Sequence, residues 1–261
     1  PAATPDSIWV NKINNPLYRE LYTEVQKKYS NFEKVNSNLE SLFKHIKYYF
    51  PRFRVPTTVT LINDVDYQSR VIVASDTLLL LSLDNYLGAD HRYYSDIKRY
   101  IVENLKASQI PSDVAKAYAQ KYIAPPTKNT FLEQMIYFGK QLVIKDLLLP
   151  DYKDDEKMGY TPEQVKWCQE NESYIWRYFI EKELLYSTDS KLPNRFTNVA
   201  PFSKFYLEID NESPGRVGQW IGWQIVRSFM QNNKVSMQEM IKMDAKELFE
   251  KSKYKPKKTD E

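Results

Sequence analysis

Histidine and cysteine are nearly missing from this sequence, and each shortage removes a class of chemistry. Only His45 and His91 occur among 261 residues. A zincin-type hydrolase needs two His four residues apart, on one helical face, with a Glu between them to activate water. These two stand 46 residues apart. A Ser or Cys triad would have to draw its base from the same pair, and no G-x-S-x-G elbow is present to hold a nucleophile. The lone Cys168 excludes an intrachain disulfide and a cysteine-rich zinc site, and its helical surroundings suit a small buried hydrophobe. With no P-loop and no strand-linked G-x-G-x-x-G either, neither a metal nor a cofactor is expected.

Charge of one sign is also lacking over most of the chain. Residues 251–261 (KSKYKPKKTDE) account for the whole formal charge of +3, so residues 1–250 sum to zero. A neutral body has no driving force for phosphate binding, which excludes a nucleic-acid partner. No apolar run approaches the roughly 20 residues that span a bilayer. Glycine is scarce, with 6 against 14 Pro, which favours long helices joined by stiff corners.

What is present is a well-stocked core: 20 Tyr, 12 Phe and 5 Trp argue against disorder. After Pro16, apolar residues recur at helical spacing through Leu17, Leu21 and Val25, then through Leu39, Leu42, Phe43 and Ile46. VTLIND and the run RVIVASDTLLLLSLD then read as strands, the second run folding as a hairpin about Ser75 and Asp76 within a sheet of three or four strands. Beyond residue 108 the pattern is helical, with helices expected near 109–121, 130–149, 162–186, 214–232 and 236–250. Capping boxes mark three starts: Thr130 with Glu133, Thr161 with Gln164, and Ser236 with Glu239. Ser213 before Pro214 marks a fourth. No linker interrupts the series, so residues 1–250 read as one domain and 251–261 as a Lys-rich flexible tail.

Few of these residues gather into chemistry. Asp151, Asp154, Asp155 and Glu156 are interleaved with Lys153 and Lys157, which suits a solvated turn better than a cation site. Glu170, Glu172, Glu181 and Glu183 share one expected helix, and a glycan hydrolase would need two such carboxyls facing one cleft. The most distinctive stretch is SPGRVGQWIGWQIVRSFM, residues 213–230. A helical Gly costs about 1 kcal/mol relative to Ala, so Gly218 and Gly222 require a return. Their spacing of four places them on one face, suited to close packing against Gly139 of an earlier helix. The alternative is a groove floored by that face and lined by Arg216, Trp220, Gln224 and Arg227, with Trp223 beside it, in which case replacing either Arg by Ala would leave stability nearly unchanged.

SPGRVGQWIGWQIVRSFMQNN, with DTLLLLSLDNYLGADHRYY, EQMIYFGKQLVIKDLLLPD and FIEKELLYSTD, resembles the gliding motility lipoprotein B family of Bacteroidota. The resemblance spans most of residues 70–233. It implies a lipid-anchored protein of the cell envelope associated with gliding machinery, with an export signal ending in a lipid-modified Cys upstream of Pro1. It further implies kinship with zincin-type peptidases whose active site has decayed, Met135, Ile136 and Gly139 standing where His, Glu and His belong and Glu181 where a further acidic ligand would lie.

The expected fold is therefore α+β and zincin-like, a small N-terminal sheet with helices followed by a mostly helical C-terminal half. The expected function is non-catalytic: binding of an envelope protein or peptide partner in the relic of an active-site cleft. Candidate binding residues are Glu181, Arg216, Trp220, Trp223, Gln224 and Arg227, and candidate packing residues are Gly139, Gly218 and Gly222. A carboxylate-dependent glycan hydrolase and a purely structural envelope component are the alternatives. The membrane enters only through an N-terminal lipid anchor.

Overall fold

The computed structural model describes residues 6–208 and 210–257 and, of Trp9, the backbone alone. The chain divides into two compact units between Val114 and Ala115. The fold is α+β, with one small sheet and a predominance of helix.

The first unit opens with three helices, α1 (Asp6–Asn14), α2 (Pro16–Lys28) and α3 (Glu33–Tyr49). Asn15 caps α2 by accepting the Leu17 amide at 2.9 Å, and Pro16 supplies the preset φ of a first helical position. The stripe Val35, Leu39, Leu42, Phe43 and Ile46 is buried along α3, and Leu21 and Val25 along α2. Leu17, expected on that stripe, is exposed instead. All of α1 whose side chains are described is exposed as well, apolar Ile8, Val10 and Ile13 included.

Three strands follow, β1 (Thr57–Leu61), β2 (Val71–Ser75) and β3 (Leu78–Ser82), in the order β1-β3-β2. The hairpin β2–β3 is antiparallel with a bulge between Val73 and Ser75, while β1 lies parallel to β3 and forms an edge. Leu79 and Leu81 of the central strand are fully buried on one face. On the other, register places Val59, Leu80 and Ile72 in one row, where Val59 and Ile72 remain exposed.

Between β1 and β2 the chain makes a tight reversal with Asp64 and Val65 both left-handed, at φ 61° and 59°. For β-branched Val65 this costs on the order of 1–3 kcal/mol. Buried Asp84 offsets it, its Oδ2 accepting the amides of Asn63 at 3.0 Å and Val65 at 2.8 Å. Further along, Arg70 grips Asp113 through two bonds of 2.7 and 2.9 Å, and the Tyr86 hydroxyl donates to the same carboxylate. The short α4 (Arg99–Val102) precedes α5 (Ile110–Tyr122), within which the unit ends.

The second unit is helical: α6 (Phe131–Leu148), α7 (Asp154–Met158), α8 (Pro162–Glu181), α9 (Leu192–Phe196), α10 (Val217–Asn232), α11 (Met237–Lys242) and α12 (Ala245–Ser252). The three capping boxes form as their spacing requires, Thr130 with Glu133, Thr161 with Gln164 and Ser236 with Glu239. The fourth start is different. Ser213 closes a turn with Ser203 and Asp210, and α10 begins three residues later than Pro214, after Arg216 in a left-handed conformation. The expected 236–250 helix is two helices, since Asp244 caps a new start through the amides of Lys246 and Glu247.

Phe131, Phe179 and Phe196 form a cluster with centroids 5.0 to 5.7 Å apart, a spacing typical of edge-to-face rings. Residues 251–257, expected as part of a flexible tail, are fastened. Buried Glu172 accepts the Tyr254 hydroxyl at 2.9 Å and the Lys257 amide at 3.1 Å on one oxygen. The rest of that tail, residues 258–261, lies outside the described residues.

Candidate functional site

The glycine-rich helix is where the sequence concentrates its unusual residues. Helices α6 and α10 run in the same direction, with Phe131 beside Gly218, Met135 beside Gly222 and Asp146 beside Arg227. Gly139 and Gly222 meet at backbone distance: a Cβ on Gly139 would stand 2.2 Å from the Gly222 carbonyl oxygen. A Cβ on Gly218 would meet the Phe196 carbonyl oxygen at 2.9 Å. This face is therefore filled by protein, and it floors no groove.

The candidate lining residues are spent inside the fold. Arg227 pairs with Asp146 (both contacts 2.7 Å) and with Asp154 (both 2.8 Å), and its guanidinium lies 3.7 Å from the Trp223 ring centroid. Trp223 Nε1 and Lys157 Nζ donate to the same Asp146 carboxylate at 2.9 and 3.1 Å. Burial pushes Asp154 up, yet the Arg227 guanidinium more than offsets this and holds it below the usual carboxylate range. Arg216 donates to the carbonyls of Met158 and Gly159, each at 2.9 Å, and stacks over Tyr160. Trp220 is buried, and Gln224 half-buried, with Trp220 Nε1 and Gln224 Nε2 lacking a hydrogen-bond partner among the described residues.

Three of the four residues assigned to a decayed metal motif are equally inaccessible. Met135 and Ile136 are buried with Gly139 along α6, while Glu181 is exposed at the end of α8. Among the described residues no group of three or more His, Cys, Asp or Glu could hold a metal ion. Nor can Glu170 and Glu181 face one another as a hydrolase pair would. Glu170 and Glu181 are 11 residues apart on α8, about 16 Å along its axis. That exceeds the roughly 5–9 Å separation of glycosidase carboxyls. Glu172 is committed to Tyr254 and Lys257.

An open groove lies instead in the first unit, with a volume of 770 Å³. One wall is α2, presenting Tyr18, Arg19 and Tyr22, and the other is the end of β1 with Leu61 and Ile62; Lys12 and Ile13 of α1 stand at the rim. Two features set its electrostatics. Glu20 and Glu24 on α2 are engaged by Arg92, and Glu24 also by His91, whereas no ion pair holds Arg19 among the described residues. Lys12 sits over the Tyr18 ring at 4.8 Å, and the Tyr18 hydroxyl donates to Asp64.

Sequence reasoning passed over this groove. The available signal was the surplus of apolar residues at Ile8, Val10, Ile13 and Leu17, more than two short helices bury.

A family model described as gliding motility protein GldB matches residues 2–256. The chain belongs to the GldB family. Its members are gliding motility proteins, so association with gliding motility is the activity this GldB-family chain carries by membership. No curated protein matches the chain, and no solved structure does. No helix of the described residues is long and apolar enough to cross a membrane.

Proposed function

We propose that this GldB-family protein is a non-catalytic, lipid-anchored component of the cell envelope that acts by binding a protein partner of the gliding apparatus. The observation that carries this reading is the closure of α6 on α10. The helix on which a metal hydrolase would display its ligands carries Met135, Ile136 and Gly139 there, and Gly139 is occupied by the backbone of Gly222. The zincin kinship, on this reading, survives as a packing arrangement without the chemistry. The relic site has no room for a partner, so binding shifts to the groove of the first unit, where an uncommitted cation and exposed apolar side chains face solvent.

The test combines metal analysis with cross-linking in native envelopes, using a photoreactive residue in place of Tyr22. Dialysed protein is expected to hold no stoichiometric zinc, and one defined envelope protein is expected to form the adduct. About one zinc per chain, together with peptide or glycan hydrolysis, would overturn the non-catalytic reading. Absence of any defined adduct would overturn the partner.

A further inference from the structure

The alternation of hydrogen bonds along a parallel ladder fixes which groups of β1 are already used. The Thr57 amide donates to the Thr77 carbonyl at 2.8 Å, and Thr57 pairs with Leu78 in the parallel register. In such a ladder every second residue sends both its N–H and its C=O to the neighbouring strand. Thr57, Val59 and Leu61 therefore face β3, and Thr58 and Thr60 turn their N–H and C=O groups to the opposite side. That side is the edge of the sheet, since β1 has β3 as its neighbour and, among the described residues, no strand beyond it. Thr60 lines the groove.

The groove thus combines the parts that a strand-accepting site requires. It has the outward N–H and C=O of Thr60 on one wall, with those of Thr58 further along the same edge, and a helix opposite, and Ile13, Tyr22, Leu61 and Ile62 offer apolar contact for alternate side chains. A long edge left bare is a hazard for unspecific pairing. This one is short, and the α2 wall limits what can enter.

Charge selects among extended segments. α2 sends Glu20 and Glu24 towards Arg92 and His91, and sends Arg19 towards the groove. Lys12 adds a second cation at the rim, and Asp64, bonded to Tyr18, is the acid nearest to it. Two cations against one engaged acid leave the groove electropositive.

Resting on the partner-binding reading above, we infer that the groove captures an extended, acidic segment of the partner, which adds as a strand to the free edge of β1 with its carboxylates at Arg19 and Lys12. Backbone pairing supplies affinity and the cations supply selectivity.

The probe is a short peptide alternating Val and Glu, blocked at both ends, added to the full chain labelled with nitrogen-15. Two controls accompany it, a Val–Lys peptide and a Val–Glu peptide N-methylated at alternate residues. The expected result is a shift of the Thr58 and Thr60 amides together with those of Arg19 and Tyr22. N-methylation, Lys12→Glu and Arg19→Glu should each weaken binding by about tenfold or more, and the Val–Lys peptide should not bind. Silence at millimolar Val–Glu peptide would overturn the proposal, as would equal binding of the N-methylated or the Val–Lys peptide. The native adduct separates the two levels. If Arg19→Glu abolishes it while the Val–Glu peptide stays silent, partner binding stands and strand addition fails. If no native adduct forms although the peptide binds as described, the groove is a strand acceptor and the partner reading fails.

Discussion

Gly222 lies against the backbone of Met135 so closely that a Cβ built on it would stand 1.9 Å from the Met135 carbonyl oxygen. Helix propensity alone favours Ala over Gly by about 1 kcal/mol. Here steric exclusion wins, because the obstacle is backbone and cannot swing aside as a flexible side chain would. Gly222→Ala is expected to lower stability despite its better propensity, and Gly222→Val to lower it by about 3 kcal/mol or more. Urea titrations of both variants check this. A Gly222→Ala protein more stable than its parent would show that the helices part easily.

Arg227 is a candidate binding residue by sequence, and in the alternative groove reading its removal leaves stability nearly unchanged. The structure reverses that expectation, since truncation takes the guanidinium from Asp154, 29% exposed, and leaves Asp146, 20% exposed, with Lys157 and Trp223 alone. Breaking a partly buried pair of this kind costs about 2 to 4 kcal/mol. Arg227→Ala should therefore shift the denaturation midpoint clearly. Arg227→Lys should recover only part of it, because an ammonium cannot make two bidentate contacts.

Lys140 gives a pH signature. Its ammonium is buried on α6 and donates to the carbonyls of Ile241 at 3.0 Å and Met243 at 2.6 Å. Burial pushes it down to about 8, with nearby Asp244 opposing. Below pH 8 both folded and unfolded chains carry the proton, and the cost of burying the charge is present in full. Between about 8 and the unfolded value near 10.4 the unfolded chain binds more protons, so stability rises with pH across that window. The stability difference between the parent and Lys140→Met should therefore move in favour of the parent from pH 7.5 to 9.5. A flat difference would place the amine's titration elsewhere.

Legibility in the sequence followed the range of the interaction. The capping boxes at Thr130, Thr161 and Ser236 were readable because both partners lie within three residues. Gly139 with Gly222 was suggested by rarity and spacing, although nothing local fixes which helix approaches which. Ser213 misled because a Ser before Pro serves a turn as well as a cap, and this one is held by Ser203, ten residues away. The partners of Arg227 lie 73 and 81 residues off, so its commitment could not be seen. The groove was hidden for a topological reason: which backbone groups of β1 face outward depends on its pairing with β3, from which β2 separates it in sequence.

Glu172 Oε1 takes both the Tyr254 hydroxyl and the Lys257 amide. One oxygen atom thereby acts as a ruler for the chain between them. The lysines there are interchangeable with other solvated residues, since one of the two donors is main chain and the other an aromatic hydroxyl. The number of residues is not interchangeable, because adding or removing one carries one donor out of reach of that oxygen. The stretch between the two donors is specified by its length while its composition is free, so exchanging Lys255 should leave both bonds in place where inserting a residue beside it should cost one of them.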